Sequence, residues 1–188
     1  MRARASHLQA LTRFAENSRW LSLIDAEGIE RLAENAQRQQ FATGRAIVRQ
    51  GELGDSFYLI VRGEVRVLVS DSDDAEPKEV ARLGPGMFFG ELAVLSREPR
   101  SATVESSEVV DLLRLRRDAV LPILRNYPQA REVLGAVGLQ RSEANMDRRL
   151  QLLEEQGGGL ADLLEGDASA EAEPQHSDAA AARDDESF

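Results

Sequence analysis

The stretch Ser56–Ser70, "SFYLIVRGEVRVLVS", decides the fold class. Its second half alternates: Val65, Val67 and Val69 fall on one face, as a half-buried strand requires. Its first half is a short apolar run, and "RGE" separates the two. The same texture extends outward in both directions from about Gln37. "AIVR" is followed by "QGELGD", "VRVLVS" by "DSDDAEP" and "KEVARL" by "GPG"; "SATVES" and "VVDLLRL" come later. Short β-rich runs punctuated by Gly, Pro and polar clusters indicate a β-sandwich, roll or barrel.

Helical patterns lie on both sides. Leu8, Leu11 and Ala15 are spaced for a helix, with Phe14 beside them. A second helix is expected over about Ala26–Ala36, capped by Asp25 and striped by Ile29, Leu32, Ala33 and Ala36. Helical character returns near Arg117. Pro122 is read as falling within a tolerant first turn, and Pro128 as starting another helix. Val133, Leu134 and Val137 form a stripe, continued loosely by Ala144, Leu150 and Leu153. Gly135 and Gly138 weaken that helix by roughly 1 kcal/mol each relative to Ala and mark a flexible or closely packed part.

Composition narrows the function. The chain has 188 residues, a length for one domain with appendages. It has no cysteine, so disulfides, thiolate metal sites and cysteine nucleophiles are excluded, and a cytoplasmic location is expected. His7 and His176 are its two histidines, both in the terminal arms, too few for a metal-dependent roll enzyme or a Ser–His arrangement. The net charge is −10, and residues 157–188 hold nine acids against Arg183, leaving −2 on the rest. No basic stripe for nucleic acid is evident. The N-terminus lacks the apolar core of a secretory signal, and no window is long enough to span a membrane. The tail from "GGG" at 157–159 has a composition expected for disorder, with Leu160, Leu163 and Leu164 spaced either as a fraying turn or as a docking motif.

One segment carries chemistry: "FFGELAVLSREPRSATV", Phe88–Val104. A lone Glu91 and a lone Arg100 stand among core-like residues. Gly90 lets backbone approach a ligand, and Glu91–Leu95 suits one helical turn whose free N–H groups attract an anion. Arg100 offers a permanently charged fork suited to phosphate, and the small Ser101 and Ala102 leave their amides approachable. Glu91 accepts hydrogen bonds, as from a sugar hydroxyl. Taken singly, the two could instead be a helix-terminal acid and its structural partner. Gly51, Gly54, Gly63, Gly84 and Gly86 are assigned to turns, Asp55 to a turn or roll cap, and Phe57 and Tyr58 to the core.

The segment closely resembles the phosphate-binding cassette of cyclic nucleotide-binding domains: Phe-Gly-Glu-Leu-Ala, a spacer, then Pro-Arg, a small residue, Ala and Thr. "GELGDSFYLIVRGEV", Gly51–Val65, resembles the glycine-bounded roll strands of that family, and the resemblance covers about residues 20–135. It implies a mainly β fold with flanking helices: an eight-stranded β-roll of the double-stranded β-helix or jelly-roll type. The expected divisions are an N-terminal helical segment 1–36, the roll 37–116, C-terminal helices 117–156 and an acidic tail 157–188. By the same resemblance the ligand-binding residues are Gly90, Glu91, Leu92, Ala93, Arg100, Ser101 and Ala102. Glu91 would accept the ribose 2′-OH and Arg100 would pair with the cyclic phosphate, with amides around Gly90, Ala93 and Ala102 completing the cradle. In relatives the residue after the cassette Arg influences purine choice. Ser101 occupies that position and also occurs in bacterial cyclic AMP regulators, so cyclic AMP is favoured over cyclic GMP.

The implied function is a non-enzymatic regulatory sensor. It would need no metal and would signal through a protein partner by the C-terminal helix or the acidic tail. A homodimer seam along Val133–Val137 and Ala144 is a further expectation. The alternatives are a transcription regulator of the cyclic AMP receptor type with a lost or diverged DNA-binding domain, and a ligand-free interaction module retaining the roll.

Overall fold

The computed structural model describes residues 2–70 and 76–155. The expectations for the acidic tail and its leucine motif lie outside these residues.

The chain opens with helix α1 (Arg2–Asn17), a short 3₁₀ turn (Leu21–Leu23) and helix α2 (Ala26–Asn35). Asp25 caps α2 as expected, accepting from the Gly28 amide at 2.9 Å. Strands β1 (Gln37–Phe41), β2 (Ala46–Val48), β3 (Ser56–Arg62), β4 (Val65–Val69), β5 (Lys78–Leu83) and β6 (Phe88–Phe89) follow. Helix α3 (Glu91–Ser96) interrupts them before β7 (Thr103–Ser106) and β8 (Val110–Arg116). Helices α4 (Arg117–Asn126) and α5 (Pro128–Glu155) complete the described chain.

The eight strands form two four-stranded antiparallel sheets, ordered β1-β8-β3-β6 and β2-β7-β4-β5. This is the expected β-roll with flanking helices. The apolar run in β3 has a direct cause. Phe57 and Leu59 belong to the core shared with the helices, and Tyr58 and Ile60 belong to the roll interior. Strand β8 divides the same way, with Leu113 and Leu115 on the helical side and Val110 and Leu112 inside. A strand buried on both faces loses its polar alternation. Strand β4 keeps it, burying Val65, Val67 and Val69 while Arg66 pairs with Glu105 across the sheet. Trp20 packs edge-on against Phe57 and Phe88, with centroids 5.6 and 6.0 Å apart, and ties the N-terminal helices to the first sheet.

Two readings of the C-terminal helices need correction. Pro122 is inside α4, beyond its first turn. Its side is exposed, so the missing N–H leaves the Asp118 carbonyl to water. The stripe Val133, Leu134 and Val137 is not a free seam, because Leu134 is fully buried in the helical core and the two valines pack against it. The intramolecular core had first claim on the most apolar face of α5. Ala144 is set apart from that stripe, on the wall of the cavity described next.

Candidate functional site

The site is built around Arg100. Its backbone is pinned first: the Arg100 amide donates to the Glu52 carbonyl and the Arg100 carbonyl accepts from the Gly51 amide, both at 2.9 Å. A bridge between Leu53 and Pro99 adds to this clasp. The side chain then turns inward and is only 7% exposed. Nη1 donates to the Gly90 carbonyl at 3.0 Å and Nη2 to the Ser56 carbonyl at 2.6 Å. Two of the five guanidinium donors are thereby used, and three remain. Burial works against the charge of Arg100, and Tyr58, Asp55 and Glu91 favour it.

Two glycines make room for this fork. A Cβ on Gly54 would lie 2.3 Å from the Arg100 Cζ and Nε, and one on Gly90 would lie 2.3 Å from Nη1. Gly90 also has φ of +84°, which an L side chain rarely adopts. The sequence assigns Gly54 to a turn; the structure adds that the space a side chain would fill there is occupied by the guanidinium. Ser56, which holds Nη2, is itself fixed: its hydroxyl donates to Asp55 at 2.6 Å and accepts from Arg114 Nε at 2.8 Å. Asp55 also pairs with Arg114 and Arg116, and its carboxyl lies below the usual range because Ser56 and then Arg114 hydrogen-bond it.

Gly90 follows β6 as the N-cap of α3, and Glu91 begins that helix. Glu91 is 5% exposed, and its Oε2 has no hydrogen-bond partner among the described residues. Burial pushes its carboxyl above the usual range, a shift opposed by its own amide, Arg141 and Arg100. An ionisable oxygen buried without a partner is costly and points to a missing donor.

Glu91 and Arg100 face one cavity of about 330 Å³. All seven residues singled out in the sequence line it: Gly90, Glu91, Leu92, Ala93, Arg100, Ser101 and Ala102. Its apolar wall comes from the roll, through Val48, Val67, Val80, Leu83 and Val104. The last wall is α5, which contributes Gly138, Arg141, Ser142, Ala144 and Asn145. None of these five is among the ligand-binding residues expected from the sequence. Arg141 donates to the Phe88 carbonyl at 2.6 Å, lies 4.4 Å over the Phe88 ring and stands 4.0 Å from Glu91. Gly138 allows the close approach, since a Cβ there would meet Leu92 Cδ2 at 2.8 Å and Glu91 Cγ at 3.0 Å. The available signal was the spacing of Gly138 and Arg141, one turn apart on the helix face continuing from Leu134.

A second cavity, of about 410 Å³, lies between α1 and the first sheet, beside Arg13, Arg38 and Leu113. It shares no residue with the first. Among the described residues there is no group of three or more His, Cys, Asp or Glu able to hold a metal ion. No described helix is long and apolar enough to cross a membrane.

Comparisons with known proteins converge on the same segment. The profile described as "Cyclic nucleotide-binding domain" matches residues 38–127. The cyclic AMP receptor protein of Thermus thermophilus is 36% identical over 117 residues, 62% of this chain and 53% of that protein. The chain thus spans about half the length of this curated relative. The catabolite activator protein structure from Thermus thermophilus superposes with a TM-score of 0.57 at 33% identity, covering 68% of this chain and 59% of that one. The regulatory domain of Toxoplasma gondii PKA, crystallised with cAMP, gives a TM-score of 0.62 at 28% identity, covering 76% of this chain and 51% of that one. With the roll, the interrupting helix α3 and the matched segment in agreement, residues 38–127 belong to the cyclic nucleotide-binding domain family.

Proposed function

We propose that the protein is a cyclic nucleotide sensor that binds cyclic AMP between the roll and α5 and reports occupancy to a protein partner. One observation carries this reading: a buried, pre-positioned guanidinium and a buried, partnerless carboxylate oxygen share one cavity. The cavity volume of about 330 Å³ suits a ligand of nucleotide size.

Arg100 pairs with the cyclic phosphate through donors not engaged by Gly90 and Ser56. The amides of Gly90, Ala93 and Ala102 add to the cradle, since the first turn of α3 has N–H groups without intrahelical acceptors. Glu91 accepts the ribose 2′-OH, which supplies the donor that Oε2 lacks. The base lies against the apolar wall, where Arg141, Ser142 and Asn145 of α5 are within the same cavity. Because α5 forms one wall, ligand that favours the seated helix shifts its population, and a partner that reads α5 detects the shift.

Calorimetric titration with cyclic AMP and cyclic GMP tests the reading, alongside Arg100→Ala and Glu91→Ala. Cyclic AMP is expected to bind near the micromolar range, about −8 kcal/mol. Arg100→Ala is expected to lower affinity about 100-fold, because charge-assisted contacts are each worth roughly 1.5–3 kcal/mol. Flat traces for wild type and variants alike refute the reading, and tighter binding of cyclic GMP reverses the choice of base.

A further inference from the structure

On another face, Arg97, Arg116, Arg117 and Arg125 surround a cavity of about 340 Å³, with Asp55, Asp118, Leu121 and Pro122 completing its lining. Three elements converge there: the end of α3, the junction of β8 with α4, and the last turn of α4. The aspartates are committed, Asp55 to Arg114 and Arg116, and Asp118 to Arg116. Arg117 turns inward and donates to the carbonyls of Ala93 and Val94. Arg97 and Arg125 are exposed, as is Arg131 in the first turn of α5, outside the cavity lining. Among the described residues none of these three has a carboxylate within 4.0 Å. Arg97 and Arg131 are close enough to Arg117 to push its guanidinium down, after burial. The four arginines outnumber the two aspartates of the lining, so a further anion would offset their mutual repulsion.

We propose that this face binds a short acidic peptide segment of a partner protein, with carboxylates on Arg97, Arg125 and Arg131 and an apolar side chain on Leu121 and Pro122. The geometry favours a peptide over a nucleic acid. A phosphate backbone needs a long basic track, whereas these arginines form one compact patch interrupted by Asp55 and Asp118. A compact patch with an apolar floor suits a few residues that mix acids with a leucine.

The test is fluorescence anisotropy at low salt, using the full chain and a labelled Glu-Glu-Leu-Asp-Glu-Leu peptide. Its Gln/Asn counterpart and a labelled oligothymidine serve as the other arms. The acidic peptide is expected to bind, and to weaken as salt is added. The combined Arg97→Gln, Arg125→Gln, Arg131→Gln variant is expected to bind it about tenfold more weakly. Its cyclic AMP titration and circular dichroism should match wild type. If the triple variant folds poorly, the Arg125→Gln, Arg131→Gln pair replaces it, with a fall of about fivefold expected. The proposal is overturned by an acidic peptide that does not bind, by equal binding of the neutral peptide or the variant, or by tighter binding of the oligonucleotide. The nucleotide titration is a separate readout, so failure here leaves the sensor reading untouched.

Discussion

Arg100 depends on space as much as on charge. Its fork lies between the Gly90 and Ser56 carbonyls, and a Cβ on Gly54 would lie 2.3 Å from its Cζ and Nε. Gly54→Ala should therefore displace the guanidinium and weaken cyclic AMP binding about tenfold or more, with the fold retained. Gly84→Ala, with nothing within 4 Å of its added carbon, should leave affinity unchanged. Equal affinities for the two variants in calorimetry would show that the socket does not hold Arg100. Glu91 allows a second prediction. Burial raises its folded-state pKa above the ordinary 4.5, so folding favours the neutral acid. Ionisation then costs stability, a cost absent below 4.5 that accumulates as pH rises through the raised value. Glu91→Gln should raise the thermal midpoint of the unliganded protein at pH 7, by an amount that shrinks toward acid pH. A midpoint gain that is constant with pH would contradict this. Both charged residues were legible in the sequence because a solvated charge has no need of apolar neighbours. The role of Gly54 was not, since a turn glycine and a glycine vacated for a side chain read alike.

Helix α5 shows how one element reconciles helix propensity with close packing. Gly135 and Gly138 both weaken it, and only one has a steric reason to be glycine. A Cβ at Gly135 would meet Leu95 Cδ1 at 3.7 Å, an ordinary contact. Gly135→Ala is expected to stabilise the protein by about 0.5–1 kcal/mol. Gly138→Ala gains the same propensity and must push Leu92 and Glu91 aside, so it should be about 1–3 kcal/mol less stable than Gly135→Ala. Urea unfolding of the two variants measures the difference, and equal stabilities would mean that α5 is not seated on α3. Strand legibility follows the same physics. Strands β3, β4 and β8 announced themselves through apolar runs or alternation. Strand β1, "QRQQF", is largely exposed and carries no apolar pattern, and β6 is two residues long. Residue patterning alone therefore supported a β-rich roll or sandwich, and the resemblance supplied the count of eight.

At the scale of the whole molecule, one sheet separates two cores. The helices pack on its outer side through Phe57, Leu59, Phe88, Leu113 and Leu115, and the roll fills its inner side through Tyr58, Ile60, Phe89 and Leu112. Phe88 and Phe89 are adjacent, so β6 touches both cores and leads directly into Gly90 and Glu91. Arg141 grips that same strand end from α5, through the Phe88 carbonyl and ring. The spacing of Gly138 and Arg141 is a weak signal of this link, because an arginine on a long charged helix is ordinarily solvated. If the grip couples α5 to the cavity, Arg141→Ala should speed amide exchange in α5 beyond Gly138 and leave β3 and β8 as slow as in the wild type. Cyclic AMP should slow exchange over the same stretch in the wild type and do so less in the variant, because a ligand shifts only an equilibrium whose two states it contacts differently. Hydrogen exchange followed by mass spectrometry reads both effects. Unchanged α5 exchange in the variant would mean that Gly138 and the buried Leu134 alone hold the helix, and that occupancy must leave the roll by another route.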